Sequence, residues 1–256
     1  MLNNHTLTQL ADLGLSGMAE ALREQHDSVQ YQALSFDERL GLLVDRETSD
    51  RESRRLTTRL RGARLRHDAC IEDVDFHGTR GLQRSVVMGL ASSQWVASHQ
   101  NVLVTGPTGV GKSYLACALT NAAIRAGHTA LYKRSSRLFQ DLAIARGDGR
   151  YPKVLQQLAR VDILVIDDFC LSPLVDNEPL DLMEVLEDRS ERRSTIVTAQ
   201  LPVDAWHHAM GDPTLADAIL DRLVHNAHMI PLSGESMRKM TAKTIAPSPE
   251  KRDEKA

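Results

Sequence analysis

Gly106-Pro107-Thr108-Gly109-Val110-Gly111-Lys112-Ser113 fits the pattern G-x-x-x-x-G-K-[ST] at every fixed position. The chemistry such a loop can do follows from its composition. Glycines let backbone N–H groups turn inward and approach a polyphosphate without a Cβ in the way. The N-terminus of a following helix adds partial positive charge. Lys112 would reach the β- and γ-phosphates, and the Ser113 hydroxyl would help hold Mg²⁺. Residues 106–113, with Tyr114 behind them, are therefore the expected ATP-binding set. The alternative is a glycine-rich turn with no ligand.

A second group lies 55 residues beyond Lys112. "VDILVIDDF" (161–169) is an apolar run ending in two acids. Asp167 is placed to hold Mg²⁺, and Asp168 to orient an attacking water. "STIVTAQLP" (194–202) is another apolar run with polar residues at its C-terminal end, so Thr198 or Gln200 could meet the γ-phosphate or the water. Asp221-Arg222, in "DAILDRLVHNAH", and Arg238, in "GESMRK", follow. An ATPase shared between subunits has a use for both arginines: one completes a neighbour's site and one senses nucleotide in its own.

These residues need elements to position them. Val102–Val104 suit a buried parallel strand. Leu115, Ala118, Leu119 and Ala122 repeat at helical spacing, and Gly127 suits a helix stop. Strands are expected at 101–105, 129–133, 161–167, 194–199 and 228–232. Helices between them include 136–146, 152–160 and 179–189. The alternation predicts an α/β fold with a parallel sheet covered on both faces. Pro231 cannot donate to a ladder, which favours an edge for the last strand.

Residues 1–70 read as an all-helical N-terminal domain, with Leu7, Leu10, Leu15, Met18 and Leu22 on short apolar faces. "SFDE" (35–38) is a capping box opening a helix that carries Leu40, Leu43 and Val44. Residues 71–100 read as a linker and a first helix, 101–240 as the ATPase domain, and 241–256 as a disordered tail.

The 256 residues suffice for one α/β domain plus a helical piece. Hydrophobic content of 42% supports a sizeable core, and aromatics at 4% leave its filling to aliphatic side chains. No apolar run approaches the ~20 residues of a membrane span. Polar Asn3 to Thr6 stand where the apolar part of a signal peptide would sit. Cys70, Cys117 and Cys170 are widely spaced without C-x-x-C, which points to a reducing cytoplasm.

Net charge is −3, yet seven arginines and one acid fall between Arg51 and Arg66. On a helix Arg51, Arg55 and Arg59 share a face, as do Arg54 and Arg61. Arginine forks suit phosphates, and the scarcity of aromatics argues for backbone-dominated DNA binding with weak sequence preference. Lys133, Arg134 and Arg137 form a second candidate DNA surface. The alternative for the arginine run is a solvated helix face or an intersubunit salt-bridge surface, since the acidic partners Asp45, Glu47 and Asp50 stand nearby.

With these pieces in place, the chain resembles AAA+ ATPases of the initiator and helicase-loader group. It is most similar to the IstB-like transposition helper proteins of bacterial insertion sequences. The resemblance is carried by "GLSGMAEAL" (14–22), "LSFDERLGLLVDRE" (34–47), "GPTGVGKSYLACAL" (106–119), "VDILVIDDF", "STIVTAQLPVDAWH" (194–207) and "DPTLADAILDRLVHNAHMIPLSGESMRK" (212–239). It implies a five-stranded P-loop NTPase sheet of order 5-1-4-3-2. It matches Arg222 to an arginine finger and Arg238 to a sensor-two arginine. The residue after Asp167 is Glu in many such proteins and Asp here. The extra helix between strands two and three resembles the insertion that lets subunits stack as a spiral. The family function implied is assembly of a homo-oligomer on double-stranded DNA with ATP and Mg²⁺, deformation of that DNA, and recruitment of a transposase, with hydrolysis regulating the assembly.

Other classes make different demands. A helicase loader on the same fold would bind a replicative helicase, and only the N-terminal block separates the two. A small-molecule P-loop kinase would have no role for Asp221-Arg222 or the arginine run. A non-hydrolysing DNA-packing protein would not need both Asp167 and Asp168.

Overall fold

The computed structural model describes residues 2–76 and 81–237, and these divide into two compact units at Arg59/Leu60. The division falls before the expected boundary at residue 70. Arg238 and the 241–256 tail lie outside the described residues.

The first unit contains helices α1 (Leu2–Asp12), α2 (Ser16–Asp27) and most of α3 (Phe36–Ala63). The capping box is present: Ser35 N–H donates to Glu38 Oε2 at 2.8 Å and Glu38 N–H to Ser35 Oγ at 3.3 Å. The packing face differs from the one the leucines suggested. Gly17, Ala19, Ala21 and Gln25 are the buried residues of α2, and on α3 Leu43 is buried while Leu40 and Val44 are exposed. The reason is close helix approach. A Cβ on Gly17 would stand 2.9 Å from the Glu47 Cα. The gap lets the buried Glu47 carboxylate accept from the Gly17 and Met18 amides at the start of α2, at 2.9 and 3.2 Å. That pairing caps α2 with negative charge where its dipole is positive.

The second unit holds a five-stranded parallel sheet. Its strands are β1 (Asn101–Thr105), β2 (Ala130–Arg134), β3 (Ile163–Phe169), β4 (Ser194–Ala199) and β5 (Ala227–Pro231). The order is β2-β3-β4-β1-β5, which is 5-1-4-3-2 read from the other edge. Pro231 does lie on an edge strand, where its missing donor costs no ladder bond. The helices of this unit are α4 (Arg84–Ala91), α5 (Gln94–Ala97), α6 (Lys112–Arg125), α7 (Ser135–Gly147), α8 (Tyr151–Arg160), α9 (Glu178–Arg189), α10 (Trp206–Met210) and α11 (Pro213–Val224). Every strand boundary lies within two residues of the expected one, because unbroken apolar runs are what a strand covered on both faces requires.

Leu103, Leu164, Ile166 and Val197 fill the centre of the sheet with no exposed surface. Trp206 meets Phe169 edge-on, with ring centroids 5.0 Å apart. A charged side chain, Arg189, is among the residues of this interior. Arg189, 1% exposed, closes the end of α9 against the starts of β3 and β4. It donates to the carbonyls of Leu158 and Val161 at 2.5 and 2.9 Å and to that of Ser194. Replacing Arg189 by Leu would leave those carbonyls buried without a donor, at roughly 1–3 kcal/mol each. Arg189→Leu should lower unfolding stability by about 3 kcal/mol or more in urea titrations, and an unchanged midpoint would reject this role.

Candidate nucleotide site

The loop 106–111 joins the C-terminal end of β1 to the first turn of α6, as expected. Its glycines are required by geometry. Gly106 has φ +143°, and a Cβ there would stand 2.2 Å from the Leu232 carbonyl oxygen. Gly109, at φ +89°, packs on Ser236. Gly111 caps α6 with φ +98°. Val110 is fully buried and anchors the loop, while Pro107 and Thr108 are exposed. The segment after β5 straps the loop from outside: Leu232 N–H donates to Thr105 O at 2.7 Å, and Met237 N–H to Gly109 O at 2.9 Å.

Lys112 Nζ donates to the Gly106 and Pro107 carbonyls at 2.7 and 2.8 Å. Burial lowers its pKa, and the charges of Asp168 and Asp167 oppose that fall. The ammonium is thus held against the loop backbone, on the wall of the cavity that opens above the loop.

Asp167 is the centre of the site. It is fully buried. Its Oδ1 accepts from Ser113 Oγ at 2.7 Å and from Thr198 Oγ1 at 2.5 Å. Its Oδ2 accepts from the Tyr132 hydroxyl and, at 3.2 Å, from Arg66 Nη1. Burial would raise the pKa of this carboxyl, but the bonds from Thr198, Tyr132 and Ser113 and the Arg66 charge outweigh it and hold it below the usual carboxylate range. Tyr132, desolvated and bonded to a carboxylate, has its own pKa raised.

Consecutive strand residues point to opposite faces, so Asp167 and Asp168 would ordinarily diverge. The β3–β4 register shifts between Ile166 and Phe169, and Asp168 adopts a left-handed φ of +59°. Asp168 N–H donates to Thr198 Oγ1 at 3.1 Å. The irregularity turns both carboxylates toward one cation: Arg66 Nη1 lies 3.2 Å from Asp167 and 3.6 Å from Asp168. A strained residue where chemistry is expected fits a functional role for the bulge.

Above the loop opens a cavity of about 470 Å³. Val74, Leu82, Tyr114, Leu232 and Met237 give its apolar wall, and Lys112, Ser113, Asp168 and Gln200 are among its polar residues. The two candidate residues at the end of β4 lie in different surroundings. Gln200 lines the cavity, whereas Thr198, fully buried, stands behind Asp167 and orients both acids. The oxygen pair of Ser113 and Asp167 is the hard donor set that suits Mg²⁺.

The other predicted residues lie elsewhere. Arg222, on α11, pairs with Glu187 of α9, and its carbonyl accepts from Asn101 Nδ2 at 3.0 Å. That is the start of β1. The loop is at the other end, about 13 Å away at the usual rise of about 3.3 Å per residue. Arg51 and Arg54 form ion pairs with Glu47 of the same helix at 2.6 and 3.6 Å. Among the described residues no ion pair engages Arg55, Arg59 or Arg61. Lys133 pairs with Asp141, Arg137 bonds Gln140, and Arg134 lines a groove that Asp168 also lines. The sequence did not point to Arg66 or Tyr132, nor to Val74, Leu82, Leu232 and Met237 of the apolar wall. A lone hydroxyl in a buried strand was the available signal for Tyr132. Arg66 was concealed within a run of arginines.

Gly106→Ala tests the loop geometry. The added methyl meets a backbone oxygen and forces a disfavoured φ, at a cost of about 2 kcal/mol or more if the loop holds its shape. The variant should stay folded by circular dichroism and bind ATP at least tenfold more weakly by calorimetry. Unchanged affinity would show that the loop tolerates displacement.

Residues 8–245 match the model of the IstB-like ATP binding protein family. The chain is 53% identical over 239 residues to the insertion-sequence ATP-binding protein y4pL of Sinorhizobium fredii, covering 93% of this chain and 98% of that one. It is 35% identical to the IS21 ATP-binding protein of Pseudomonas aeruginosa, over 91% of this chain and 86% of the relative. Among solved structures, DnaI is similar with a TM-score of 0.57 at 22% identity, covering 64% of this chain and 91% of DnaI. The replication initiator DnaA bound to AMPPCP and single-stranded DNA gives 0.56 at 14% identity, over 71% and 56%. At such identities these two speak for the fold alone: a P-loop sheet of the AAA+ type. With the family model spanning both units, the chain belongs to the IstB-like ATP-binding proteins of insertion sequences.

Proposed function

We propose that this protein is an ATP-dependent helper of transposition, which assembles on double-stranded DNA, deforms it and recruits a partner transposase, with ATP hydrolysis regulating the assembly. The observation that carries the ATPase part is the 2.7 Å bond between Ser113 Oγ and Asp167 Oδ1, which joins the phosphate loop to the acidic strand end. Bound Mg²⁺ would neutralise charge developing on the phosphates. The chain's own residues do the rest. The loop amides and Lys112 hold the β- and γ-phosphates. Ser113 and Asp167 supply metal oxygens. Asp168 and Gln200, both on the cavity wall, orient the attacking water, and Thr198 fixes the two acids.

Arg222 lies near the start of β1, at the far end of that strand from its own loop, which supports completion of a neighbour's site. Arg238 keeps its proposed role as a nucleotide sensor on resemblance alone. The same neighbour requirement supports a homo-oligomer, ring or spiral. The relatives' own descriptions, as insertion-sequence ATP-binding proteins, favour a transposition partner over a replicative helicase.

DNA contact is assigned first to Arg55, Arg59 and Arg61, whose cations are free of ion pairs among the described residues. Arg51 and Arg54 are shared with Glu47, and Lys133, Arg134 and Arg137 form the second surface.

Two measurements test this function. Arg222→Ala and Lys112→Ala should each abolish ATPase activity. Mixing them creates some interfaces with both wild-type residues, so activity should partly return; mixtures that stay inactive would place Arg222 in a structural role. For DNA, each phosphate contact contributes roughly 0.9 to the slope of log K against log salt. Replacing Arg55 and Arg59 together by Ala should lower the slope by about two, equally for unrelated duplexes, in anisotropy titrations with a slowly hydrolysed ATP analogue. An unchanged slope moves the DNA role to Lys133, Arg134 and Arg137.

A further inference from the structure

Arg66 ends the arginine-rich run, yet its side chain turns inward. It is 28% exposed and donates to the fully buried Asp167 carboxylate, with Asp168 also within ion-pair distance. This position is built. Residues 66–72 lie along one face of α6. The His67 ring lies tilted by 47° against Tyr114, with centroids 6.2 Å apart. Burial pushes the Cys117 thiol pKa up, and hydrogen bonding from the His67 and Arg66 backbone opposes that rise. Asn121 Nδ2 approaches Cys70 Sγ at 3.9 Å, and Arg125 grips Glu72 through two bonds of 3.0 Å. The partners 114, 117, 121 and 125 recur at helical spacing, so the strap follows a single stripe.

The strap therefore delivers a fixed cation to the two carboxylates read above as the metal end of the site. Asp167 Oδ1 faces Ser113, the other oxygen donor, and Oδ2 already carries Tyr132 and Arg66. A divalent ion beside the same carboxylate would stand within a few ångströms of the guanidinium, and two cations so close on one acid oppose each other. We propose that Arg66 is an internal counter-cation of the Mg²⁺ site. It competes with the divalent ion for Asp167 and Asp168 and keeps metal affinity low until nucleotide phosphates add their own ligands. Arg66 is thus a positioning residue that makes metal entry conditional on nucleotide. The inference rests on the reading of Asp167 as a metal ligand.

The test is Mn²⁺ binding to the full-length, nucleotide-free protein, with free Mn²⁺ followed by electron paramagnetic resonance. Arg66→Ala removes a charge-assisted competitor and should tighten Mn²⁺ binding roughly tenfold or more. Arg66→Lys keeps a cation and should remain near wild type. Arg125→Ala loosens the strap at Glu72 without touching the guanidinium and should leave Mn²⁺ affinity unchanged. Asp167→Asn should abolish the site. If Asp167→Asn abolishes binding but Arg66→Ala equals wild type or binds more weakly, the counter-cation role fails alone. Tightening by Arg125→Ala to the same degree as Arg66→Ala would overturn it in favour of packing. Binding that survives Asp167→Asn removes the metal-ligand reading and the inference with it.

Discussion

A single carboxylate, that of Asp167, organises the second unit. It is withdrawn from water, and a buried charge is tolerable only if it is densely hydrogen-bonded. Its four donors come from four places in the chain: Arg66 from the strap, Ser113 from α6, Tyr132 from β2 and Thr198 from β4. The acid therefore ties the phosphate loop to three neighbouring elements. The same bonds keep it ionised, and an ionised acid is what a divalent cation would require.

The constraint extends to the backbone. Two adjacent acids cannot both serve one site from a regular strand, so β3 ends in a register shift and Asp168 takes a left-handed conformation. The Thr198 hydroxyl accepts from the Asp168 amide while donating to Asp167, so one side chain holds both the bulge and the acid. Strain of this kind persists only where surroundings over-determine it. The tightly packed β4, buried throughout, supplies that rigidity.

Charge is handled by opposite means in the two units. In the first, Glu47 is buried against the glycine surface of α2, and the Arg51 hydrogen bond, opposed by burial and helped by two amides, holds it below the usual carboxylate range. That acid also pairs with Arg51 and Arg54 of its own helix, which stay about half exposed. In the second, Arg189 is buried with carbonyls as partners and no carboxylate among them. The buried Glu47–amide and Arg189–carbonyl bonds differ from exposed ion pairs, whose contribution is small. Each ties helices or strands together through groups that would be costly to leave unpaired.

The sequence alone determined the loop, its strand and helix, the two acids and the parallel sheet. These follow from local rules: glycine where no Cβ fits, unbroken apolar runs for doubly covered strands, and helical spacing after Ser113. Pro231 even marked its strand as an edge, because a missing donor is a local fact with a global consequence. Tertiary structure decided what depends on neighbours distant in the chain. Leu40 and Val44 read as core by period but are exposed, since small residues on α2 set how α3 packs. Thr198 and Gln200 were indistinguishable by type and nearly by position; only the turn of β4 past Asp167 put one behind the acid and the other on the cavity wall. Arg66 was one more arginine in a basic run until the fold brought it across α6 to a carboxylate 101 residues away. Periodicity shows which face a residue shares, but a buried charge is matched by whatever donor the packing delivers, and sequence spacing does not encode that.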